Sequence, residues 1–280
     1  ATITNLNGDA PEAVLTVNRV ANGGVNLSTL NLNGPGTFNG VISLFSNTTA
    51  GTQNNFLNLN HALAAQYATI RLGGHGYATG ASVLKAGVNT SISKLEHNNT
   101  AALITGEGTT LTITGDSSSY GGSFGGTVTV DYTGGGTFTL GNSDKTVALT
   151  PAASADATLK ISSGTLSLFS GNVNWSQKLV MGDGTTLTVQ DGPAVTGYYN
   201  YDAASINGDG FTFSGTTTFG TGVNLTTQYG KNIKFTGVLT AASGFSISGA
   251  DSEYTYYTLA GTENQIGGTI AITRNSTSLG

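Results

Sequence analysis

The sequence predicts an all-β fold, and three observations support this prediction. Short runs of alternating apolar and polar residues begin roughly every 7 to 12 residues, a spacing that leaves no room for crossover helices. Glycine is abundant, with 42 residues among 280, and together with Asn, Asp and Ser it separates these runs. A sequence motif, which we call the recurring phrase, also repeats along the chain. It consists of a short strand, a glycine, a polar spacer and an apolar or aromatic residue that we call the anchor.

The predicted strands can be placed in order from these runs, and they are residues 13–17, 25–34, 102–105, 111–115, 128–132, 138–140, 147–150, 159–161, 166–169, 179–181, 187–189, 211–213, 223–225, 233–235, 245–247 and 269–273. Residues 60–68, NHALAAQYA, fit a helix and a strand equally well. We therefore expect one elongated β-rich domain over residues 1–280, with an irregular and partly helical insertion at about 60–100.

The recurring phrase has a hydrophobic pair two residues apart, a glycine, a spacer, an anchor and another glycine. Its four copies are Leu30/Leu32 to Gly40, Leu111/Ile113 to Gly122, Phe211/Phe213 to Gly222 and Tyr257/Leu259 to Gly268. One such unit cannot bury its apolar side alone, whereas stacked units bury a continuous column. The repeat predicts a parallel β-helix (β-solenoid) of about 11 to 14 coils, given the usual spacing between strands.

The best-formed copy is LTITGDSSSYGG at 111–122, followed by GGGTFTLGN at 134–142. The second half of this pattern is similar to two later segments, GTLSLFSGN (164–172) and GTTLTV (184–189). This pattern resembles the autotransporter-associated β-strand repeat of bacterial autotransporter passenger regions. The resemblance is firm over residues 106–190 and implies a right-handed parallel β-helix on a cell surface. The chain departs from that family in two respects, since it has no recognisable C-terminal translocator barrel and residues 60–100 do not follow the repeat.

A second fold remains open at this point, namely one or more antiparallel β-sandwich domains. Asn-Gly pairs are signals for tight hairpin turns, and they occur at 7/8, 22/23, 33/34, 39/40 and 207/208.

Composition and charge restrict the partners that this chain can have. Charged residues make up 9% of the chain, its net charge is -5, and no Lys or Arg lies between Lys94 and Lys145. A phosphate backbone needs a basic groove, so nucleic acid is not an expected partner. No apolar run approaches the roughly 18 to 20 residues that span a bilayer, so we expect no membrane insertion by this segment. The absence of cysteine excludes disulfides and thiolate chemistry.

Candidate chemistry is sparse, and each cluster has a plain structural explanation. The densest run of acids, Asp183, Asp191, Asp202 and Asp209, suggests a calcium site, the only cofactor the sequence indicates. His61, His75 and His97, with Glu96, Arg71 and Tyr77, could do acid-base work but match no metal spacing. GGSFG at 121–125 spells a nucleophile elbow around Ser123, a match that chance explains in so glycine-rich a chain.

The tyrosines are the candidates for contact with a glycan or another protein. They form two groups, within GYYNYD and EYTYYTL, and are Tyr198, Tyr199, Tyr201, Tyr254, Tyr256 and Tyr257. Residues two apart in an extended segment share a face, and exposed aromatic groups suit both sugar stacking and protein interfaces.

The sequence thus predicts a secreted cell-surface protein that is structural or adhesive rather than catalytic. We expect it to associate with copies of itself as a surface layer, filament or adhesin passenger, and to contact host or microbial glycans. Residues 1–20 or 254–273 are expected to join a neighbouring copy. The alternative is a polysaccharide-active lyase or hydrolase, or a phage-type depolymerase, on the same scaffold.

Overall fold

A computed structural model describes residues 1–17, 26–44, 53–73, 82–97, 102–141, 154–169, 173–190, 210–227, 232–249 and 256–274. Within these ranges the chain forms 28 β-strands and no helix. The strands are β1 (Thr2–Ile3), β2 (Val14–Val17), β3 (Asn26–Leu32), β4 (Val41–Leu44), β5 (Gln53–Leu59), β6 (Ala65–Leu72), β7 (Ser82–Ala86), β8 (Thr90–His97), β9 (Ala102–Gly106), β10 (Thr110–Ile113), β11 (Ser117–Tyr120), β12 (Ser123–Gly126), β13 (Thr129–Tyr132), β14 (Thr137–Leu140), β15 (Thr158–Ile161), β16 (Thr165–Phe169), β17 (Val173–Trp175), β18 (Lys178–Met181), β19 (Thr186–Gln190), β20 (Gly210–Phe213), β21 (Thr217–Phe219), β22 (Asn224–Thr227), β23 (Asn232–Phe235), β24 (Leu239–Ala241), β25 (Gly244–Gly249), β26 (Tyr256–Leu259), β27 (Gln265–Ile266) and β28 (Thr269–Arg274).

The strands form four sheets whose order shows a parallel β-helix. Sheet A contains β1, β3, β5, β7, β9 and β12, and sheet B contains β2, β4, β6, β8, β10, β13, β15, β18, β21, β24 and β27. Sheet C contains β11, β14, β16, β19, β22, β25 and β28, and sheet D contains β17, β20, β23 and β26. Neighbouring strands in every sheet are parallel, as in the pairs β10–β13, β14–β16 and β20–β23. The predicted parallel β-helix is confirmed, and the antiparallel sandwich is wrong.

Each coil contributes one strand to sheet B, so the described residues contain eleven coils. Sheets A and D take the same place in the coil order, before a sheet B strand, with sheet A in the first six coils and sheet D from the eighth. At about 4.8 Å between stacked strands, ten steps make a column about 48 Å long.

The segment at about 60–100 does not form the expected irregular, partly helical insertion where it is described. It supplies β6, β7 and β8, and residues 61–64 form a turn that leads directly into β6. The ambiguous pattern arises because β6 has a bulge, with a register shift between Ala65 and Thr69 in its pairing with β8. The bulge breaks the alternation that would otherwise have identified a strand.

The four copies of the recurring phrase do not all occupy one corner of the coil. The pairs Leu30/Leu32, Phe211/Phe213 and Tyr257/Leu259 lie in β3, β20 and β26, which precede sheet B strands. The pair Leu111/Ile113 lies in β10, a strand of sheet B itself. The phrase therefore describes a strand followed by a tight corner, and two different corners of the coil use it.

The core is one contiguous cluster of buried side chains, but its composition changes along the column. In coils two to four it is aliphatic apart from Phe38, with residues such as Leu32, Leu57 and Leu72. A chain of nine rings, spaced 4.8 to 6.4 Å between centroids, begins at the end of β8 in the fourth coil and runs through the core of the later coils: His97, Tyr120, Phe124, Trp175, Phe211, Phe213, Phe235, Phe219 and Phe245.

Glycine is needed at the corners for two separate reasons. At Gly184 the backbone has φ of 66°, a left-handed conformation that other residues adopt only with strain, although the space around it is open. At Gly237 a Cβ atom would collide with the carbonyl oxygen of Gly215 in the preceding coil. The corners therefore stack more closely than any side chain would allow.

Candidate interaction surfaces

The connections that lead into strands of sheets A and D differ most in length, from two to 19 residues, and we call this line of connections the variable edge. Two residues join β11 to β12 at this edge, three join β16 to β17, and residues 191–209 join β19 to β20. The corners between sheets B and C always have two to four residues. The longest insertion therefore lengthens this edge while the strands keep their register.

The outer face of sheet B carries a charged cluster. Arg71 Nη2 lies 2.7 Å from Glu96 Oε2, and Lys94 Nζ lies 3.0 Å from Glu96 Oε1. Burial of Glu96 opposes ionisation of its carboxyl, but the hydrogen bonds from Arg71 and Lys94 outweigh that effect and lower its pKa. Both cations are thus bound to one carboxylate, and the cluster links β6 to β8.

A second charged contact lies further along sheet B. Asp131 Oδ2 accepts a hydrogen bond of 2.8 Å from Lys160 Nζ, and Asp131 Oδ1 accepts one of 2.6 Å from Ser162. These contacts join β13 to β15 and the corner after it, so they stabilise the stack. Among the described residues, no group of three or more His, Asp or Glu side chains is placed to hold a metal ion.

The outer face of sheet C differs, because its two outward rows carry no charge. The residues are Ser117, Thr137, Thr165, Thr186, Asn224, Ser246 and Ala271 in the first row, and Ser119, Thr139, Ser167, Thr188, Thr226, Ser248 and Thr273 in the second. All are partly or fully exposed except Ser167, which is 1% exposed. We call these rows the hydroxyl face, since 13 of the 14 side chains are Ser, Thr or Asn.

Hydrogen bonds within the hydroxyl face run from coil to coil. Ser246 donates to Asn224 Oδ1 at 2.8 Å, and Asn224 Nδ2 donates to Ser248 Oγ at 3.0 Å. These contacts link β22 to β25 on this part of the hydroxyl face.

Sheet A has a different outer row, in which Phe56, Val83 and Leu103 follow one another in register. Val83 is only 7% exposed, while Phe56 and Leu103 are half-buried. The next row on the same face is polar, and Asn58 Nδ2 donates to Asn31 Oδ1 at 2.6 Å. The apolar row therefore lies beside an amide ladder.

A partly buried histidine lies at the boundary between the aliphatic and aromatic parts of the core. The His97 ring lies 5.4 Å from that of Tyr120, its Nε2 atom has no hydrogen-bond partner, and burial lowers its pKa to about 4. The Tyr120 hydroxyl donates to Ser123 O at 2.6 Å, and burial raises the pKa of Tyr120 well above its ordinary value. His97 is thus neutral near pH 7.

The other two histidines of the sequence cluster do not share this position. His61 lies in the turn before β6, where its Nδ1 accepts a hydrogen bond of 3.1 Å from the Leu63 amide. His75 and Tyr77 lie outside the described residues. Ser123 is in β12, paired with β9 in a parallel sheet, rather than in a strand-turn-helix elbow.

The predicted calcium and contact residues are only partly within the described ranges. Asp183 is exposed, and its Oδ1 accepts a hydrogen bond of 2.7 Å from the Thr221 amide in the next coil. Tyr257 is half-buried and packs against the core, and Tyr256 lies in β26. The residues outside the described ranges are Asp191, Asp202, Asp209, Tyr198, Tyr199, Tyr201 and Tyr254. The calcium and contact assignments stay predictions.

The last strand, β28, has an apolar position open to solvent. Ile272 pairs with buried Ile247 and is 75% exposed. A hollow of about 350 Å³ lies nearby, lined by Thr240, Ala242, Gln265, Ile266 and Gly267. The expected contact of residues 254–273 with a neighbouring copy stays a prediction.

The hydroxyl face was missed by the sequence reasoning, although a signal for it was present. The phrases GTFTL, GTLSL and TTLTV mark β14, β16 and β19, consecutive strands of sheet C. Their Thr or Ser residues two apart must share a face. What the sequence did not reveal is that these strands are neighbours.

No protein family, no curated protein and no solved structure gives a significant match to this chain. No helix in the described ranges is long and apolar enough to cross a membrane.

Proposed function

We propose that this chain is a secreted cell-surface protein with a structural or adhesive role, of the autotransporter-passenger type, and that it has no catalytic activity. The observation that carries this proposal is the variable edge. In repeat proteins whose coils keep one register, insertions gather on one side, and that side is often the binding side. Here residues 191–209 contain Tyr198, Tyr199 and Tyr201 and form the longest connection at that edge.

The rest of the molecule serves this role as a rigid support. The core is filled by one continuous cluster, and every coil hydrogen-bonds to the next in register. Loops presented on such a column are held at fixed spacings, which suits repeated contacts with a glycan or with neighbouring copies. The low proportion of charge, 9%, allows dense packing on a surface.

The test replaces residues 191–209 with Ser-Gly-Asn, the tripeptide that joins β16 to β17 at the same edge. Because the strands on both sides stay in register, the variant should fold as the parent does and lose binding to cells and to a glycan panel. The matched control replaces residues 228–231, which join β22 of sheet C to β23 of sheet D, with the same tripeptide and should keep both binding activities.

Three measurements decide the outcome: circular dichroism for folding, binding to cells and glycans, and mass by light scattering over a range of concentrations. A parent protein that binds neither and stays monomeric would overturn the proposal. New reducing or unsaturated ends on a glycan, with or without calcium, would replace it with the polysaccharide-active enzyme.

A further inference from the structure

We propose that the surface around Tyr67 on sheet B is a binding site for an acidic sugar, one that carries a carboxylate. This inference rests on the proposed adhesive function and names the class of glycan. We call the surface the tyrosine patch, and it consists of Leu63, Tyr67, Arg71, Val88 and Lys94. The ring of Tyr67 packs on the sugar ring, while Arg71 and Lys94 bind the carboxylate.

A bulge in β6 turns Tyr67 outwards. Three residues of β6 lie opposite one residue of β8 there, between the flanking pairs Ala65–Ile92 and Thr69–Lys94. Tyr67 is 54% exposed, and within the described ranges it has no hydrogen bond or ring contact. Bulges re-aim side chains and are over-represented beside active sites. The bulge thus presents an aromatic ring to solvent on a sheet whose strands are otherwise in register.

The apolar side of the tyrosine patch lies at the corner before β6. Among the described residues six large apolar side chains are exposed, and four of them lie at or just before the first strands of sheet B: Val14, Leu63, Tyr67 and Val88. Thr90 Oγ1 donates to Ala62 O at 3.1 Å, so the turn that carries Leu63 lies against the corner that carries Val88. The exposed apolar groups are therefore concentrated beside the bulge.

The other side of the tyrosine patch carries the cations. Thr69 follows Tyr67 on the same face of β6 and pairs with Lys94, which places the Cα atoms of Tyr67 and Lys94 about 8 Å apart. Within the described ranges, Arg71 uses two of its five N–H groups on Glu96, and Lys94 uses one of its three. Two cations on one carboxylate leave a net charge of +1, in a chain whose net charge is -5.

This composition indicates the class of ligand. The net positive charge favours an anion, and the planar guanidinium of Arg71 matches the geometry of a carboxylate. An exposed ring beside these donors favours a ligand that has an apolar face next to its carboxylate. A uronic acid has this chemistry, since the C–H groups of its ring can pack on Tyr67 while its carboxylate reaches Lys94.

A protein partner fits the tyrosine patch less well. Three strand spacings by six residues of strand give about 14 Å by 20 Å, or about 280 Å², well below the roughly 800 Å² per partner of a stable protein complex. Both strands of the patch, β6 and β8, are paired on both sides, so they offer no free edge to an extended peptide. A short saccharide needs neither a large area nor a free edge.

The size of the tyrosine patch also limits its affinity. One or two sugar rings on so small a surface should bind with a Kd of millimolar order. The patch lies in the third and fourth coils, about 25 Å along the column from residues 191–209, which lead into the ninth. It therefore adds to binding at the variable edge when one glycan chain reaches both places, and is too weak to retain a glycan alone.

The experiment titrates the whole chain with an oligomer of glucuronate and measures binding by ligand-observed NMR. A neutral glucose oligomer of the same length should bind at least about tenfold more weakly. Tyr67→Ala and Lys94→Met should each weaken glucuronate binding about tenfold, because one removes the ring and the other a charged donor. Both side chains reach solvent, so circular dichroism should show unchanged folding.

Two matched controls accompany these variants. Tyr67→Phe keeps the ring and should bind glucuronate within about twofold of the parent. Lys160→Met removes a cation from the outer face of sheet B in the seventh coil and should leave binding unchanged. Raising the salt concentration should weaken binding of glucuronate to the parent far more than to Lys94→Met.

The outcomes separate this inference from the proposed function. If glucuronate and glucose oligomers bind alike, or Tyr67→Ala and Lys94→Met bind as the parent does, the site is wrong, and the proposed function stands if replacing residues 191–209 still abolishes binding to cells. If a polyglutamate peptide displaces glucuronate at lower concentration, the occupant is a protein segment. If the parent binds no cell or glycan and stays monomeric, the proposed function itself fails.

Discussion

The aliphatic and aromatic parts of the core fill the same kind of column in two ways. In coils two to four, Leu57 and its neighbours fill the core with small branched groups, whereas from the fifth coil rings such as Phe213 stack through several coils. Both parts keep parallel strands in register, as β3–β5 and β20–β23 show. The same backbone repeat therefore accommodates either an aliphatic or an aromatic core. The number of coils that one core side chain stabilises should differ between the two parts.

The largest expected effect breaks the aromatic chain. Phe213 is 1% exposed and lies 4.8 Å from Phe211 and 5.2 Å from Phe235 between ring centroids. Phe213→Ala should lower the local stability by about 4 kcal/mol, since it leaves a large cavity and ends two ring contacts. Leu57→Ala in the aliphatic part should cost about 3 kcal/mol.

Hydrogen exchange measured strand by strand checks this prediction, because a stacked array opens in parts. For Phe213→Ala, protection should fall in β20 and β23 and in the sheet B and C strands of those coils, and stay unchanged in β3 and β5. A uniform loss over the whole chain would contradict the idea that each region stabilises its own coils.

The second effect tests the boundary between the two parts. The pKa of His97 is about 4 in the folded protein and near 6.5 in an unfolded chain. Between these values the unfolded state binds the proton and the folded state does not, so stability should fall as the pH drops from about 6.5 to 4, by at most about 3 kcal/mol.

Denaturant midpoints at a series of pH values measure this dependence. His97→Leu should remove most of it between pH 5 and 6.5, because the neighbouring Glu96 has a lowered pKa and titrates below this interval. His61→Leu, in the turn before β6, is the control and should leave the dependence in place. A parent whose midpoint does not change over this interval would rule out a neutral, buried His97.

The smallest effect concerns the outer faces rather than the core. Asn58→Ala removes the 2.6 Å hydrogen bond to Asn31 and should cost about 1 kcal/mol, because the ladder is only partly exposed. Thr188→Ala on the hydroxyl face should cost less, since no neighbouring side chain is left with a broken hydrogen bond. Thermal unfolding of both variants would show whether the amide ladder contributes more than the hydroxyl face.

The sequence predicted the fold because its local signals agree with each other. Leu111 and Ile113 alternate with threonines, Gly115 follows them, and the corner forms where this pattern ends. The pattern did not identify a strand at residues 60–68, because the bulge in β6 adds residues that interrupt the alternation of apolar and polar side chains. The local preferences of the residues predict a strand, whereas a bulge depends on how that strand pairs with the coils above and below it.

The surfaces were harder to predict than the strands. Glu96 and Arg71 are 25 residues apart in the sequence, and only the stacking of β6 on β8 brings them together. The hydroxyl face likewise depends on which strands are neighbours, and coil lengths that range from 19 residues (Leu111 to Val130) to 38 (Leu179 to Thr217) hide that order. The Tyr and Asp candidates were chosen by composition alone, which says nothing about how a long connection is arranged.

The direction of the hydrogen bonds between coils determines how the column responds to force. These bonds point along the axis, so a pull on the two ends loads all the interfaces in series, and the one with the fewest bonds opens first. The corners add to the bonds between strands: among the described strands, the first two coils pair at only six positions, two between β1 and β3 and four between β2 and β4, but the Thr37 amide also donates to Leu6 O and Asn39 Nδ2 donates to Asp9 Oδ1 between them. Under tension the column should therefore open one interface at a time and extend in short steps, absorbing mechanical work.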